Sequence, residues 1–167
     1  LSVFTLKLVI FMKNLNMTHQ FDILKKTRTA ILRMIEPYTM EQLNKVPDGH
    51  KNNIAWNVAH LMVTQQLLCY KNSGLPMYVS DKLVEKFKKG TKTEEAISPT
   101  EFDEIKRLFV ELPEKLEEDY NNGMFKNYSA YTTSLNVTLT DIETAMAFNN
   151  FHEGIHLGVL FGLRKLI

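Results

Sequence analysis

The chain has 167 residues, 44% of them hydrophobic, and 20 basic against 19 acidic side chains give a formal charge of +1. That length buries a core without disulfide staples, and the ordinary composition excludes a disordered or fibrous chain. A near-neutral balance supplies no field to draw the protein onto phosphate backbones or anionic lipid, so nucleic acid is not expected as a partner.

The lone cysteine, Cys69, has no internal disulfide partner and lies within an apolar helical pattern with no basic neighbours. It reads as a small core residue in a reducing compartment, the cytoplasm. The opening LSVFTLKLVIFMKN is apolar, but its longest uncharged run falls well short of the ~20 residues that span a bilayer, and Lys7 interrupts any signal-like core. Neither a membrane span nor a secretory signal is expected. Because Met12 or Met17 could each begin the natural chain, residues 1–17 are read as an N-terminal tail and residues 18–167 as one helical domain.

From Thr18 to Glu36, Phe21, Leu24, Ile31 and Ile35 recur at helical spacing, and Pro37 ends the run by removing a donor. A polar loop with the turn signal Pro47-Asp48-Gly49 follows. A second helix starts after Asn52 or Asn53 and closes at Asn72-Ser73-Gly74, with Trp56, His60, Val63, Leu67 and Tyr70 on one stripe. Residues 74–97 form a polar surface connection with room for a short helix near Asp81 to Lys88.

Ser98-Pro99-Thr100-Glu101 combines an N-cap, a proline at the first helical position and a glutamate three residues on. The third helix runs to Tyr120, with Pro113 expected to bend it. Residues 121–139 contain a β-leaning TTSLNVTL that is too isolated to argue for a sheet, so a long crossing loop is expected. Thr140 with Glu143 reads as a capping box for a fourth helix that continues almost to Ile167.

On that last helix Ile142, Ala145, Asn149, His152, His156, Val159 and Leu163 alternate at three and four, forming a stripe with a polar middle and apolar ends. Burying imidazoles without partners costs roughly 1 to 3 kcal/mol per unsatisfied group. A metal ion satisfies both rings, since histidines four apart lie one turn apart on the same face. His152-Glu153-Gly154-Ile155-His156 also spells HExxH, the helix motif of zinc proteases. The extended protease form is excluded because Val159 and Gly162 stand where it places glycine and histidine. No Asp, Glu or His follows His156, so a third ligand must come from upstream. Of His19, His50 and His60, only His60 lies on the inward stripe of a helix.

Glu153 lies about 100° around the helix from His152, which suits a solvent-facing or supporting role better than a general base, although it is the candidate catalytic residue of a hydrolytic reading. Asn149 either orients a ligand, contacts substrate or hydrogen-bonds in the core. Trp56 and Asn57, just upstream of His60, join it as candidate substrate contacts.

Pro47-Asp48-Gly49, NNIAWNVAHL, EKFKKGTKT, YTTSL and the terminal FHEGIHLGVLFGLRKLI together resemble the DinB-like superfamily of metalloenzymes over nearly all of the chain from Thr18 onward. The resemblance implies an all-α fold, a four-helix bundle arranged up-down-down-up with long crossover loops. It also implies that one histidine of the second helix and an HxxxH pair of the last bind zinc, nickel or a related ion, positions held here by His60, His152 and His156. Val159 stands where a glutamine often follows the glycine of that terminal motif, so a glutamine-mediated substrate contact is not expected. Some relatives are thiol-dependent S-transferases, one isomerises maleylpyruvate, and a homodimer formed through helix faces is consistent with the resemblance.

The leading expectation is therefore a metal-dependent enzyme acting on a small molecule, a transferase using a low-molecular-weight thiol as cosubstrate. The alternatives are a hydrolase using metal-bound water with Glu153 as base, or a non-catalytic binding module with a structural metal.

Overall fold

The computed structural model describes the backbone of residues 3–167 and the side chains of Thr5 and residues 17–167. Four long helical segments dominate: α1 (Val3–Ile35), α3 (Ile54–Gln65), α5 (Pro99–Asn121) and α6 (Ile142–Leu163), with short helices α2 (Met40–Asn44) and α4 (Asp81–Phe87) in the connections. Both α1 and α3 pack against α5 and α6. Helix α1 begins upstream of the expected Thr18, and the predicted tail, residues 1–17, falls largely outside the described side chains.

The connections depart from expectation in specific ways. Within the polar loop after α1, Thr39 accepts from the Gln42 amide while the Gln42 side chain accepts from the Thr39 amide, so a reciprocal capping box starts α2. Asn53 caps α3 by accepting from the Trp56 amide. That helix does not run unbroken to Asn72: it widens into a π-helical turn over Gln66–Tyr70, tightens to a 3₁₀ turn at Lys71–Ser73, and stops at Gly74, whose positive φ of 70° suits a residue without Cβ. Ile54 to Val63 are all buried, which makes α3 the central helix rather than an amphipathic one.

Ser98 caps α5 as expected, but Glu101 reaches Lys86 instead of returning to the cap. The capping box of α6 belongs to Asp141 and Thr144, one residue beyond the predicted Thr140 and Glu143 pair, and the helix ends at Leu163. The stretch read as a crossing loop pairs with itself: β1 (Tyr131–Thr132) and β2 (Thr138–Leu139) form an antiparallel ladder, Tyr131 opposite Leu139, closed by a turn in which Asn136 has φ 60°. Thr133 holds that turn, its amide donating to the Val137 carbonyl and its hydroxyl accepting from the Val137 amide.

Among the described side chains of α1 the buried positions are Met17, Phe21, Leu24, Arg28, Ile31 and Ile35, an unbroken alternation of four and three. An arginine thus stands in the middle of the apolar stripe, 1% exposed. Its Nε and Nη2 both donate to Glu153 Oε1 of α6, at 2.9 and 2.7 Å. Its Nη1 donates to the Phe109 carbonyl of α5 at 3.1 Å, Nη2 approaches the Leu61 carbonyl of α3 at 3.4 Å, and the guanidinium lies 4.4 Å from the centre of the Phe109 ring. The Phe109 carbonyl needs this donor because Pro113, four residues on, has no amide hydrogen to offer it. Helix α5 therefore continues through Pro113 with the orphaned carbonyl repaired from a neighbouring helix.

Removing one member of a buried pair leaves the other charged without compensation, at a cost of about 3–5 kcal/mol, whereas replacing both by apolar residues is close to neutral. Arg28→Met is expected to lower the urea unfolding free energy by that amount and Arg28→Met/Glu153→Leu to recover most of it. Equal loss in both variants would show that the pair contributes little beyond its volume.

Candidate metal centre

Three histidines from two helices converge. The ring centroids of His152 and His156 on α6 are 4.5 Å apart, and those rings lie 5.3 and 4.9 Å from His60 of α3. One ligand nitrogen from each can be chosen so that all lie within 4.8 Å of one another, a grouping that could hold one ion. His60 is buried, and His152 and His156 are partly buried.

Hydrogen bonds set the tautomers. His60 Nδ1 lies 2.7 Å from the Phe87 carbonyl, which can only accept, so Nδ1 carries the proton and Nε2 keeps its lone pair. The Thr64 hydroxyl lies 3.3 Å from that Nε2. Trp56 stacks on the other side of the imidazole, centroids 4.6 Å apart and planes within 11°, fixing its orientation. His156 Nδ1 is 2.8 Å from Asn57 Oδ1, and because Asn57 Nδ2 already donates to the Asn53 carbonyl, the oxygen must accept. His156 therefore also presents Nε2 as a lone pair. His152 Nδ1 is buried with no hydrogen-bond partner among the described residues. Two oriented imidazoles and one orphaned ring nitrogen fit a divalent ion, whose histidine ligands commonly donate their second nitrogen to a carbonyl or amide oxygen.

Burial depresses all three rings. It lowers His152 to about 3, reinforced by charge on His156 and His60, and His156 to about 4, reinforced by His60. His60 also lies below its ordinary value through burial, partly offset by its bond to Phe87. Burial thus favours the neutral form of all three rings, the form that metal binding requires.

A cavity of about 580 Å³ opens onto the three rings, walled by Leu67, Leu68, Phe148 and Ile155 and roofed by the β-hairpin through Tyr131, Thr133, Ser134 and Leu135. Among the described residues no acidic side chain lines it. Residues 23–160, which include all three histidines, match the sequence model of the DinB superfamily. The chain belongs to the DinB superfamily. A search of curated proteins finds none that matches.

Within this DinB-superfamily chain the other candidate site residues, Glu153, Trp56, Asn57 and Asn149, are not among those that line the cavity. Glu153 is neither solvent-facing nor directed at the histidines: it is 1% exposed and held by Arg28 on the α1 side of α6. Trp56 and Asn57 sit behind His60 and His156, where stacking and hydrogen bonding occupy them. Asn149 is fully buried, with neither side-chain polar atom hydrogen-bonded among the described residues. Val159, expected at the inner end of the histidine stripe, is 40% exposed, and Leu160 is buried instead. Sequence reading passed over Arg28, although the gap between Leu24 and Ile31 in an otherwise regular stripe marks its position. Cys69 is buried and lifted to about 12 by that burial, as expected of an inert core thiol.

The histidine shifts carry a definite sign. These rings bind protons less readily in the folded chain than near 6.5, the unfolded value, so their contribution to stability is complete above about pH 6.5 and is lost as pH falls toward 4 and then 3. The urea unfolding free energy of metal-free protein is expected to drop between pH 7 and 5, by up to about 1.4 kcal/mol per pH unit for each titrating ring. His152→Gln/His156→Gln should flatten that dependence; an unchanged slope would assign the acid sensitivity elsewhere.

Proposed function

We propose that His60, His152 and His156 hold one divalent ion, zinc or nickel, and that the protein is a metal-dependent enzyme whose reaction is thiol-dependent S-transfer to a small electrophile. The observation that carries this reading is the convergence of three neutral imidazoles on the floor of an open cavity. Such an ion, once bound, supplies Lewis acidity that favours the thiolate form of a thiol at neutral pH.

The chain's own residues prepare that site. Phe87 and Asn57 hold the outer nitrogens of His60 and His156, and Trp56 fixes the His60 plane. Apolar walls limit water around the reacting groups. Absence of any carboxylate from the cavity lining favours thiol transfer over hydrolysis, because Glu153, the base a hydrolase would use, is committed to Arg28. An open cavity above the rings equally favours an enzyme over a module with a purely structural ion. Packing of α1 and α3 against both α5 and α6 supports the up-down-down-up four-helix bundle of the superfamily.

Elemental analysis of untagged protein should find about one equivalent of metal, lost in His60→Ala, His152→Ala and His156→Ala. Metal-loaded protein should convert monobromobimane or chlorodinitrobenzene with a small thiol faster than His60→Ala. Equal metal in all four proteins, or no thiol-dependent product above the variant, would overturn the reading.

A homodimer is part of this proposal, supported by the outer face of α6. There Phe151 is 53% exposed, and a Cβ added at Gly158 or Gly162 would meet nothing within 4 Å. An apolar strip with shallow glycine positions suits close approach of a second copy. Light scattering after size exclusion is expected to give twice the chain mass, and Phe151→Asp to shift it toward one.

A further inference from the structure

We infer that the cavity over the histidines takes an elongated ligand with an apolar body and an anionic end, the anion held at the mouth by Lys71 and Lys89. This rests on reading the cavity as the substrate site and names the chemistry of what enters it.

The charge distribution around the cavity carries the inference. Lys71 and Lys89 are the charged residues of its lining, and neither makes an ion pair among the described residues. Their neighbours behave differently: in the same EKFKKG segment, Lys86 pairs with Glu95 and Glu101, and Lys88 pairs with Glu85. The chain carries 19 acidic residues, yet none lines the cavity, so a net positive mouth is a local arrangement on a protein whose overall charge is +1.

The walls define the rest of the ligand. Leu135 at the tip of the hairpin is 55% exposed and Ile155 on α6 is 44% exposed, both facing the cavity with Phe148 and Leu67. Apolar surface left in water at the rim of a concave site is surface that a ligand can cover with gain, roughly 25 cal/mol per Å². A cavity of about 580 Å³ is of a size that encloses a drug-sized molecule. An ammonium group at the mouth would meet two like charges, and a purely polar ligand would leave the apolar walls uncovered.

The test uses octanesulfonate, octanol and octyltrimethylammonium titrated into protein as purified, followed by amide NMR. A sulfonate is a weak metal ligand, so its binding does not depend on coordination. Octanesulfonate should bind about tenfold tighter than octanol, consistent with two exposed ion pairs, and the cation more weakly than octanol. Shifts should centre on Phe148, Ile155 and the 131–135 strand and turn. Lys71→Gln/Lys89→Gln should bring sulfonate to the octanol level while leaving octanol unchanged, which also shows that the variant is folded. Sulfonate no tighter than octanol, an unchanged ratio in the double variant, or shifts elsewhere would overturn the assignment. Metal-free protein that still prefers the sulfonate would separate failure of the enzymatic reading from failure of this one.

Discussion

One buried guanidinium organises the long helices. Arg28 of α1 donates to Glu153 on α6, to the Phe109 carbonyl on α5 and toward the Leu61 carbonyl on α3. A charged group survives at 1% exposure only when nearly all its donors are satisfied, so the helices must keep the positions that satisfy them. Pro113 is part of the same arrangement: by removing an amide from α5 it creates the acceptor that Arg28 fills. Polar order of this kind adds directional constraints to those that close packing of the apolar core already imposes.

That geometry is what aims the histidines. Glu153 follows His152 directly, and a helix turns about 100° per residue. Holding Glu153 toward α1 therefore leaves His152 and His156 on the flank that faces α3, where His60 waits. The candidate metal centre and the buried ion pair are thus two consequences of one rotation of α6. Positioning extends outward through Phe87 and Asn57, which orient His60 and His156 from the side opposite the cavity.

The cavity draws on elements that contribute nothing to the ligand set. Its roof is a two-stranded hairpin in a segment whose sequence alternates threonine with apolar residues but is too short to bury a face of its own. Its mouth takes Lys71 from the 3₁₀ turn that follows the π-helical widening of α3, and Lys89 from the loop after α4. A straight second helix, as periodicity alone suggests, does not contain that widening. Insertion of an extra residue into one turn rotates everything beyond it, so side chains after Gln66 face directions that a 3.6-residue period does not predict.

Local chemistry wrote much of this protein into its sequence. Asn53 and Ser98 start α3 and α5 where cap residues stand, Pro37 follows the end of α1, and the four-residue spacing of His152 and His156 places them on one face whatever surrounds them. These features depend on neighbours within one turn, which the sequence specifies directly. Tertiary structure brought the expected His60 to the pair, and it alone decided that Arg28 and Glu153 pair across 125 positions and that the hairpin closes over the rings. Each of those requires two distant segments to meet, and which donor finds which acceptor is settled by burial, where every unpaired polar group carries a cost.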